Sequence, residues 1–323
     1  MIEFEEVNAK DFDDIKGKNI NALKYAMMVA VAGRHNILAF GAPGCGKTML
    51  MQKFPMLMPK LSVEESVSVN RIWDLAGINN ADGKVTRPFR VPHQTCSIEG
   101  MCGGGKDMRP GEISLAHNGM LFLDEAAEFR SSVLQMLRVP LEIGTITLSR
   151  AGITTTFPAR FQLAMATNPC PCGNYGSDDK VCLCSPKSVE MYWKKFSGPL
   201  LDRMDIRISF GSTYLVPQLS DSNDLGLEEI RKAIDKAQTI QYNRQQKLNA
   251  DLSESEMERF CHLSNDALKD LESFCDVTDI STRGRKSLIK VARTFADLDE
   301  SDTINKEHMS LAIVLREETP IGY

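Results

Sequence analysis

No stretch of this chain is long and apolar enough to span a bilayer as a helix. The first residues, Met1-Ile2-Glu3-Phe4-Glu5-Glu6-Val7, are acidic and lack the basic-then-apolar pattern of a secretory leader. Positive charge is not in excess. The net charge is −5 over 323 residues, so no global basic field advertises nucleic acid, and any DNA or RNA contact must come from local basic patches. Internal repeats and low-complexity tracts are also missing. What remains is the composition of an ordinary globular protein, 42% hydrophobic and 25% charged, long enough for one large domain and a smaller one. The expected compartment is the reducing cytosol. There, nine cysteines argue against a disulfide framework and leave metal binding or buried thiols.

The most informative residues present are Gly41-Ala42-Pro43-Gly44-Cys45-Gly46-Lys47-Thr48, which fit the G-x-x-x-x-G-K-[ST] phosphate loop. Asn36 to Phe40 before them reads as a short buried strand, and Met49 to Phe54 after them as the start of a helix. Strand, glycine loop and helix is the context the motif requires. The glycines let successive N–H groups face a phosphate, and the helix N-terminus adds partial positive charge. Lys47 can reach the β- and γ-phosphates, and the Thr48 hydroxyl can hold Mg²⁺.

A second acidic element follows roughly eighty residues later. Leu121-Phe122-Leu123-Asp124-Glu125 is a hydrophobic strand closed by two carboxylates, the Walker B pattern. Asp124 would hold Mg²⁺ through water and Glu125 would polarise the attacking water. Asn168 ends the next strand-like run, in Ala166-Thr167-Asn168-Pro169, where ring ATPases carry a polar sensor 1; an Asn before Pro is also a common turn former. Arg203, in Leu200-Leu201-Asp202-Arg203, is a candidate arginine finger acting on a neighbouring subunit's nucleotide. Arg283, opening a lid helix, is a candidate sensor 2 that would reach the γ-phosphate from the lid, with Arg285 as its rival. For each arginine a surface salt bridge is the alternative.

The wider pattern predicts an α/β fold. A helix is expected over 21–32, an irregular polar stretch of turns and hairpins over 62–119, a helix over 131–142, a β-hairpin from 145 to 157 turning at Arg150-Ala151-Gly152, and a buried strand from Phe161 to Thr167. The nucleotide domain is placed at 1–212 and a Ser/Asp/Asn/Pro-rich linker at 213–227. A helical lid over 228–323 follows, with helices at 228–247, 254–273, 283–296 and 305–315.

Beyond these motifs the chain resembles the ComM/YifB family of magnesium-chelatase-like AAA+ proteins. The resemblance is carried by Gly33-Arg34-His35-Asn36, Pro88-Phe89-Arg90-Val91-Pro92-His93, the run Arg109 to Gly119, Phe157-Pro158-Ala159-Arg160-Phe161, Asn168-Pro169-Cys170-Pro171-Cys172-Gly173, Ser197 to Arg203, and Val291 to Leu298. It implies an AAA+ P-loop core with a parallel sheet, β-hairpin inserts and a C-terminal helical lid, assembled as a homo-oligomeric ring, a hexamer, that binds ATP and Mg²⁺. ComM proteins are associated with DNA branch migration in natural transformation. By that analogy residues 88–112 form the helix-2 insert and the hairpin around Arg150 the pre-sensor-1 insert. Lys106, Arg109 and Arg150 are then candidate DNA contacts; solvated hairpin charges are the alternative. A chelatase- or MoxR-type motor that remodels a protein partner is the competing function, and a nucleotide-gated scaffold a third. Family members carry a Lon-protease-like domain before the ATPase core. Only about a dozen residues precede it here, which leaves the expectation that what this domain contributes is either missing or supplied by a separate partner chain. Gln94 replaces a usual histidine, and Ala126-Ala127 a usual Leu-Pro.

Cys170, Cys172, Cys182 and Cys184 bring four thiols into fifteen residues directly after Asn168. Two close pairs can supply a structural Cys₄ zinc site. Free thiols or oxidised pairs are the alternatives. Cys45, Cys96, Cys102, Cys261 and Cys275 are scattered and read as packing or surface residues.

Overall fold

The computed structural model describes residues 2–16, 20–78, 85–177, 180–210, 225–316 and 319–320. At its centre is a five-stranded sheet in the order β2 (Phe89–Arg90), β5 (Met120–Leu123), β8 (Gln162–Thr167), β1 (Ile37–Gly41), β9 (Ile206–Phe210). Every pairing is parallel. β1, β5 and β8 are buried along their whole length, as their continuous apolar runs require of a sheet covered on both faces. One face packs on the helix Ile20–Gly33 and, beyond it, on the lid helices Leu227–Gln245 and Thr282–Leu298. The other packs on Phe129, Val133, Leu134, Trp193 and Phe196. This is an α/β core with a C-terminal helical domain, as the sequence predicts.

Two hairpins stand apart from the sheet. The small one joins β3 (Gly103–Gly104) to β4 (Arg109–Pro110). The longer one joins β6 (Thr145–Arg150) to β7 (Ile153–Pro158), with Ala151 at φ 48° and Gly152 at φ 81° at its tip. Two positive φ values in a two-residue loop match the right-handed strand twist.

The structure departs from the sequence reading in four places. Residues 63–76, expected to be irregular, form the helix Val63–Ala76, started by a capping box between Ser62 and Glu65. The helix expected over 131–142 is two, Ser131–Met136 and Pro140–Ile143, because Pro140 has no N–H to continue the first. The helix expected over 254–273 is Glu254–Phe260 and Asn265–Val277, the second restarted by the Ser264 side chain on the Ala267 N–H. Phe89–Arg90, read as part of an insert, is an edge strand of the main sheet. The linker proposed at 213–227 falls largely outside the described residues, as do residues 317–318 and 321–323 of the lid.

The lid is docked by Arg316, which donates to the Met204 carbonyl at 3.0 Å, while the Arg207 N–H donates to the Leu315 carbonyl at 2.7 Å. His35, fully buried ahead of β1, meets Thr294 of the lid helix at 2.7 Å.

Candidate nucleotide site

β1 delivers the phosphate loop to the end of the sheet where the strands finish. Gly46 caps the helix Lys47–Met51 at φ 89°, a conformation that disfavours any side chain. Lys47 is buried. Its ammonium donates to the carbonyls of Gly41 at 2.7 Å and Ala42 at 2.9 Å, and lies 3.5 Å from Cys45 Sγ. Burial pushes its pKa down. Gly44 is open to solvent above the loop, and Met49 is half exposed at the start of the helix.

β5 brings the acidic pair to the same end. Thr48 Oγ1 donates to Asp124 Oδ1 at 2.8 Å, so the two groups expected to hold Mg²⁺ already adjoin. Glu125 follows in the left-handed region, φ 49° and ψ 45°. A non-glycine residue there carries local strain, a feature that clusters at functional sites. The turn leaves Glu125 exposed on a cleft of about 550 Å³ that it shares with Asn168, Gln94, Thr95, Arg130 and Tyr192. Gln94 Oε1 is buried with no hydrogen-bond partner. Of these, Glu125 and Asn168 were legible as site residues and Gln94 as a departure from the family pattern; nothing local in the sequence marks Arg130 or Tyr192.

The loop after Asn168 is anchored by Trp193, whose indole N–H donates to the Pro169 carbonyl at 2.8 Å. Cys170, Cys172, Cys182 and Cys184 converge here, with all four sulfurs within 4.8 Å of one another. Cys170 Sγ lies 3.4 Å from Cys172 Sγ and 3.7 Å from Cys182 Sγ, and the latter two are 3.6 Å apart. Four sulfurs each about 2.3 Å from a tetrahedral zinc stand about 3.8 Å apart, so the cluster fits that ion. The Asn174 amide and then the Cys170 thiol pull Cys172 down to about 6, while burial and the neighbouring thiols push Cys182 and Cys184 up, so the four crowded sulfurs do not all ionise without a cation between them. Gly173 presses this loop onto the phosphate loop: a Cβ there would lie 2.5 Å from Pro43 Cδ.

Arg203 and Arg283 are elsewhere. Arg203 lies just before β9, and its carbonyl accepts from Asn36 Nδ2 at 2.9 Å, just before β1. In a parallel sheet that is the end where strands begin. Five residues of β1, roughly 16 Å, separate it from the phosphate loop. Arg203 forms an ion pair with Glu142 and donates to the Pro199 carbonyl at 2.7 Å. Arg283 Nη1 is 3.9 Å from the same Glu142 carboxylate. Both arginines line a cleft of about 640 Å³ with Lys286 and Lys290. Arg285, exposed on the same helix, is not among the residues lining it. The structure thus brings Lys47, Thr48, Asp124, Glu125 and Asn168 together and sets Arg203 and Arg283 apart from them.

Lys106 and Arg109 are exposed on the β3–β4 hairpin, with Arg109 3.5 Å from Asp107; Arg150 is exposed at the tip of the β6–β7 hairpin.

A five-stranded parallel sheet with a phosphate loop after β1, a Walker B pair after β5 and a helical lid defines a P-loop nucleotide-binding protein of the AAA+ class. The family model described as Magnesium chelatase, subunit ChlI, matches residues 11–216, and that described as Magnesium chelatase, subunit ChlI C-terminal, matches 226–316; the chain belongs to this family. It is 39% identical over 315 residues to "Uncharacterized protein YifB" of Escherichia coli (strain K12), covering 95% of this chain and 60% of that protein. It is 39% identical over 321 residues to "Competence protein ComM" of Haemophilus influenzae, covering 98% of this chain and 62% of that one. It is 26% identical over 174 residues to the "Magnesium-chelatase 38 kDa subunit" of Rhodobacter capsulatus, covering 49% of this chain and 50% of that subunit. The chain therefore spans about 60% of the length of the YifB and ComM relatives. No described helix is long and apolar enough to cross a membrane.

Proposed function

We propose that this chain is the ATP-hydrolysing subunit of a cytosolic homo-oligomeric ring motor, with each catalytic site split between neighbouring copies. One observation carries the reading. Lys47, Thr48, Asp124, Glu125 and Asn168 gather where the sheet's strands end, whereas Arg203 and Arg283 gather where they begin. One chain cannot put both sets on one triphosphate. A head-to-tail contact can, and a head-to-tail contact that closes makes a ring. By the family resemblance we take that ring to be a hexamer.

Bound Mg-ATP would supply the phosphoryl group that water attacks. Lys47 would offer its ammonium to the phosphates, and Thr48 and Asp124 their oxygens to Mg²⁺. Glu125 would orient and deprotonate water, with Asn168 beside it in the same cleft. Arg203 and Arg283 would stabilise charge on the neighbour's nucleotide. Zinc held by Cys170, Cys172, Cys182 and Cys184 would fix the loop that bears on Pro43. It would serve structure alone, since four protein ligands leave no open position.

DNA is the substrate we favour. Two hairpins present Lys106, Arg109 and Arg150 to solvent, and exposed cations on hairpins can track a phosphate backbone without reading sequence. The resemblance to ComM proteins, which are associated with DNA branch migration, supports that choice. Likeness to a magnesium-chelatase subunit favours the second reading, a motor that remodels a protein partner. The part of the longer relatives that this chain does not cover, a Lon-like domain by the family resemblance, would then be a source of partners.

The test is ATP turnover by the purified chain, alone and with single-stranded or branched DNA, beside Glu125→Gln. Severalfold stimulation by DNA, abolished in the variant, is expected. Glu125-dependent turnover indifferent to DNA would replace the DNA reading with the protein-remodelling one, and no turnover at all would sink both.

A further inference from the structure

Glu142 takes part in no motif, yet it is the carboxylate that both trans-acting arginines share. Arg203 pairs with it directly and Arg283 stands 3.9 Å from it. The other carboxylates of the cleft have their own partners. Asp251 pairs with Arg34 at 2.9 Å, Glu254 with Lys286 at 2.9 Å, and Asp205 takes the Ser287 hydroxyl at 2.5 Å and the Asn36 N–H at 3.0 Å. Two guanidiniums with one carboxylate between them leave positive charge over. Burial first, and then Arg203, push the Arg283 pKa down, while Asp205, Glu142 and Asp202 oppose. The cleft is thus roomy, with Arg34, Arg203, Arg283, Lys286 and Lys290 facing Glu142, Asp205, Asp251 and Glu254, and Glu142 is the exposed acid set between the two arginines, a place an incoming phosphate could take over.

The position of Glu142 in the chain adds a consequence. It belongs to the one-turn helix Pro140–Ile143, which closes at Gly144 with φ 73°, and β6 begins at the next residue. The Ala159 N–H, just past β7, donates to the Gly144 carbonyl at 2.8 Å, so both feet of the long hairpin are tied to that turn. A shift of Glu142 is therefore a shift at the hairpin's base, and Arg150 is at the hairpin's tip.

We propose that Glu142 is a positioning residue that stands in for the neighbour's nucleotide phosphate. It holds Arg203 and Arg283 in the unengaged state. It is displaced when a phosphate group of the adjoining subunit enters the cleft, and that release moves the β6–β7 hairpin. This rests on the split-site reading above and adds the link from nucleotide state to hairpin position. The carboxylate competes with phosphate for the same guanidiniums, so removing its charge should tighten ATP engagement while uncoupling the hairpin.

The experiment compares wild type with Glu142→Gln and Glu142→Ala, measuring half-saturating ATP and hydrogen exchange of residues 145–158 with and without ADP–beryllium fluoride. In wild type the analogue should change hairpin exchange severalfold. In both variants the nucleotide-free hairpin should already exchange like the wild-type hairpin with analogue, and half-saturating ATP should fall about fivefold, the scale of one exposed ion pair. If the variants' hairpins respond to the analogue as wild type does, or if turnover drops with no gain in ATP affinity, the carboxylate only orients Arg203 and the proposal fails. Arg203→Ala, run alongside, separates the two layers: turnover that survives it removes the split-site reading itself.

Discussion

Acid should weaken this fold through two buried histidines, one at the seam between sheet and lid. The Thr294 hydroxyl donates to the Lys290 carbonyl at 3.1 Å, so its oxygen accepts from His35 and the His35 proton sits on Nε2. Nδ1 is left buried without a hydrogen-bond partner. Protonating it places charge in a dry site. Burial pushes the His35 pKa down to about 4, with Asp205 only partly opposing. His117 is also held down to about 4, by burial and then Arg34, and its Nδ1 is occupied as acceptor of the Arg160 N–H at 3.1 Å. The unfolded chain takes up these protons near pH 6.5 and the folded chain only near 4. Stability is therefore present above 6.5 and lost as pH falls through that window. Each histidine should cost about 2 kcal/mol between pH 7.5 and 5. Urea midpoints followed by tryptophan fluorescence measure it. His35→Gln keeps a donor for Thr294 but cannot titrate, so it should lose about 2 kcal/mol less than wild type over that range. Equal losses in the two proteins would refute the assignment of the acid sensitivity to His35.

Further outcomes follow from the same geometry. Lys47→Ala should abolish ATP binding in a filter or calorimetric assay without changing the circular dichroism spectrum. Arg203→Ala should leave ATP binding in place and lower turnover by about a thousandfold or more, the scale of a lost arginine finger. Metal analysis should find one zinc per chain, and Cys172→Ser or prolonged chelation should remove it and raise half-saturating ATP, because the loop rests on Pro43 through Gly173; a metal-free wild-type chain would exclude the zinc site. Cys45, 3.5 Å from the Lys47 ammonium, should be alkylated slowly when Mg-ATP is present and faster without it, read by peptide mass spectrometry.

How much of this was legible depends on whether the chemistry is contiguous. A phosphate loop needs eight consecutive residues between a strand and a helix, so Gly41 to Thr48 announced itself, and Met120–Leu123 could only be a central strand. The β6–β7 hairpin was equally plain, because alternating β-branched residues flank an Ala-Gly turn. The helix Val63–Ala76 was obscured because only Val69 and Ile72 are buried on it; its one clear signal was the Ser62–Glu65 capping box. Phe89–Arg90 is too short to show a period. The relation of Arg203 to Glu142 spans 61 residues, and that of Gly173 to Pro43 runs from one loop to another, so neither leaves a local trace. Motifs gave the arginines as candidates, but only the strand directions show which end of the sheet they occupy.

The most direct test of the split site is a mixing experiment. Lys47→Ala and Arg203→Ala are each prepared as inactive proteins, then combined in varying ratio and assayed for ATP turnover. The account predicts recovered activity, peaking near equal amounts, because an Arg203→Ala subunit still offers an intact Lys47 site to the intact Arg203 of a Lys47→Ala neighbour. A mixture as inactive as its components, with assembly of mixed rings confirmed, would contradict it.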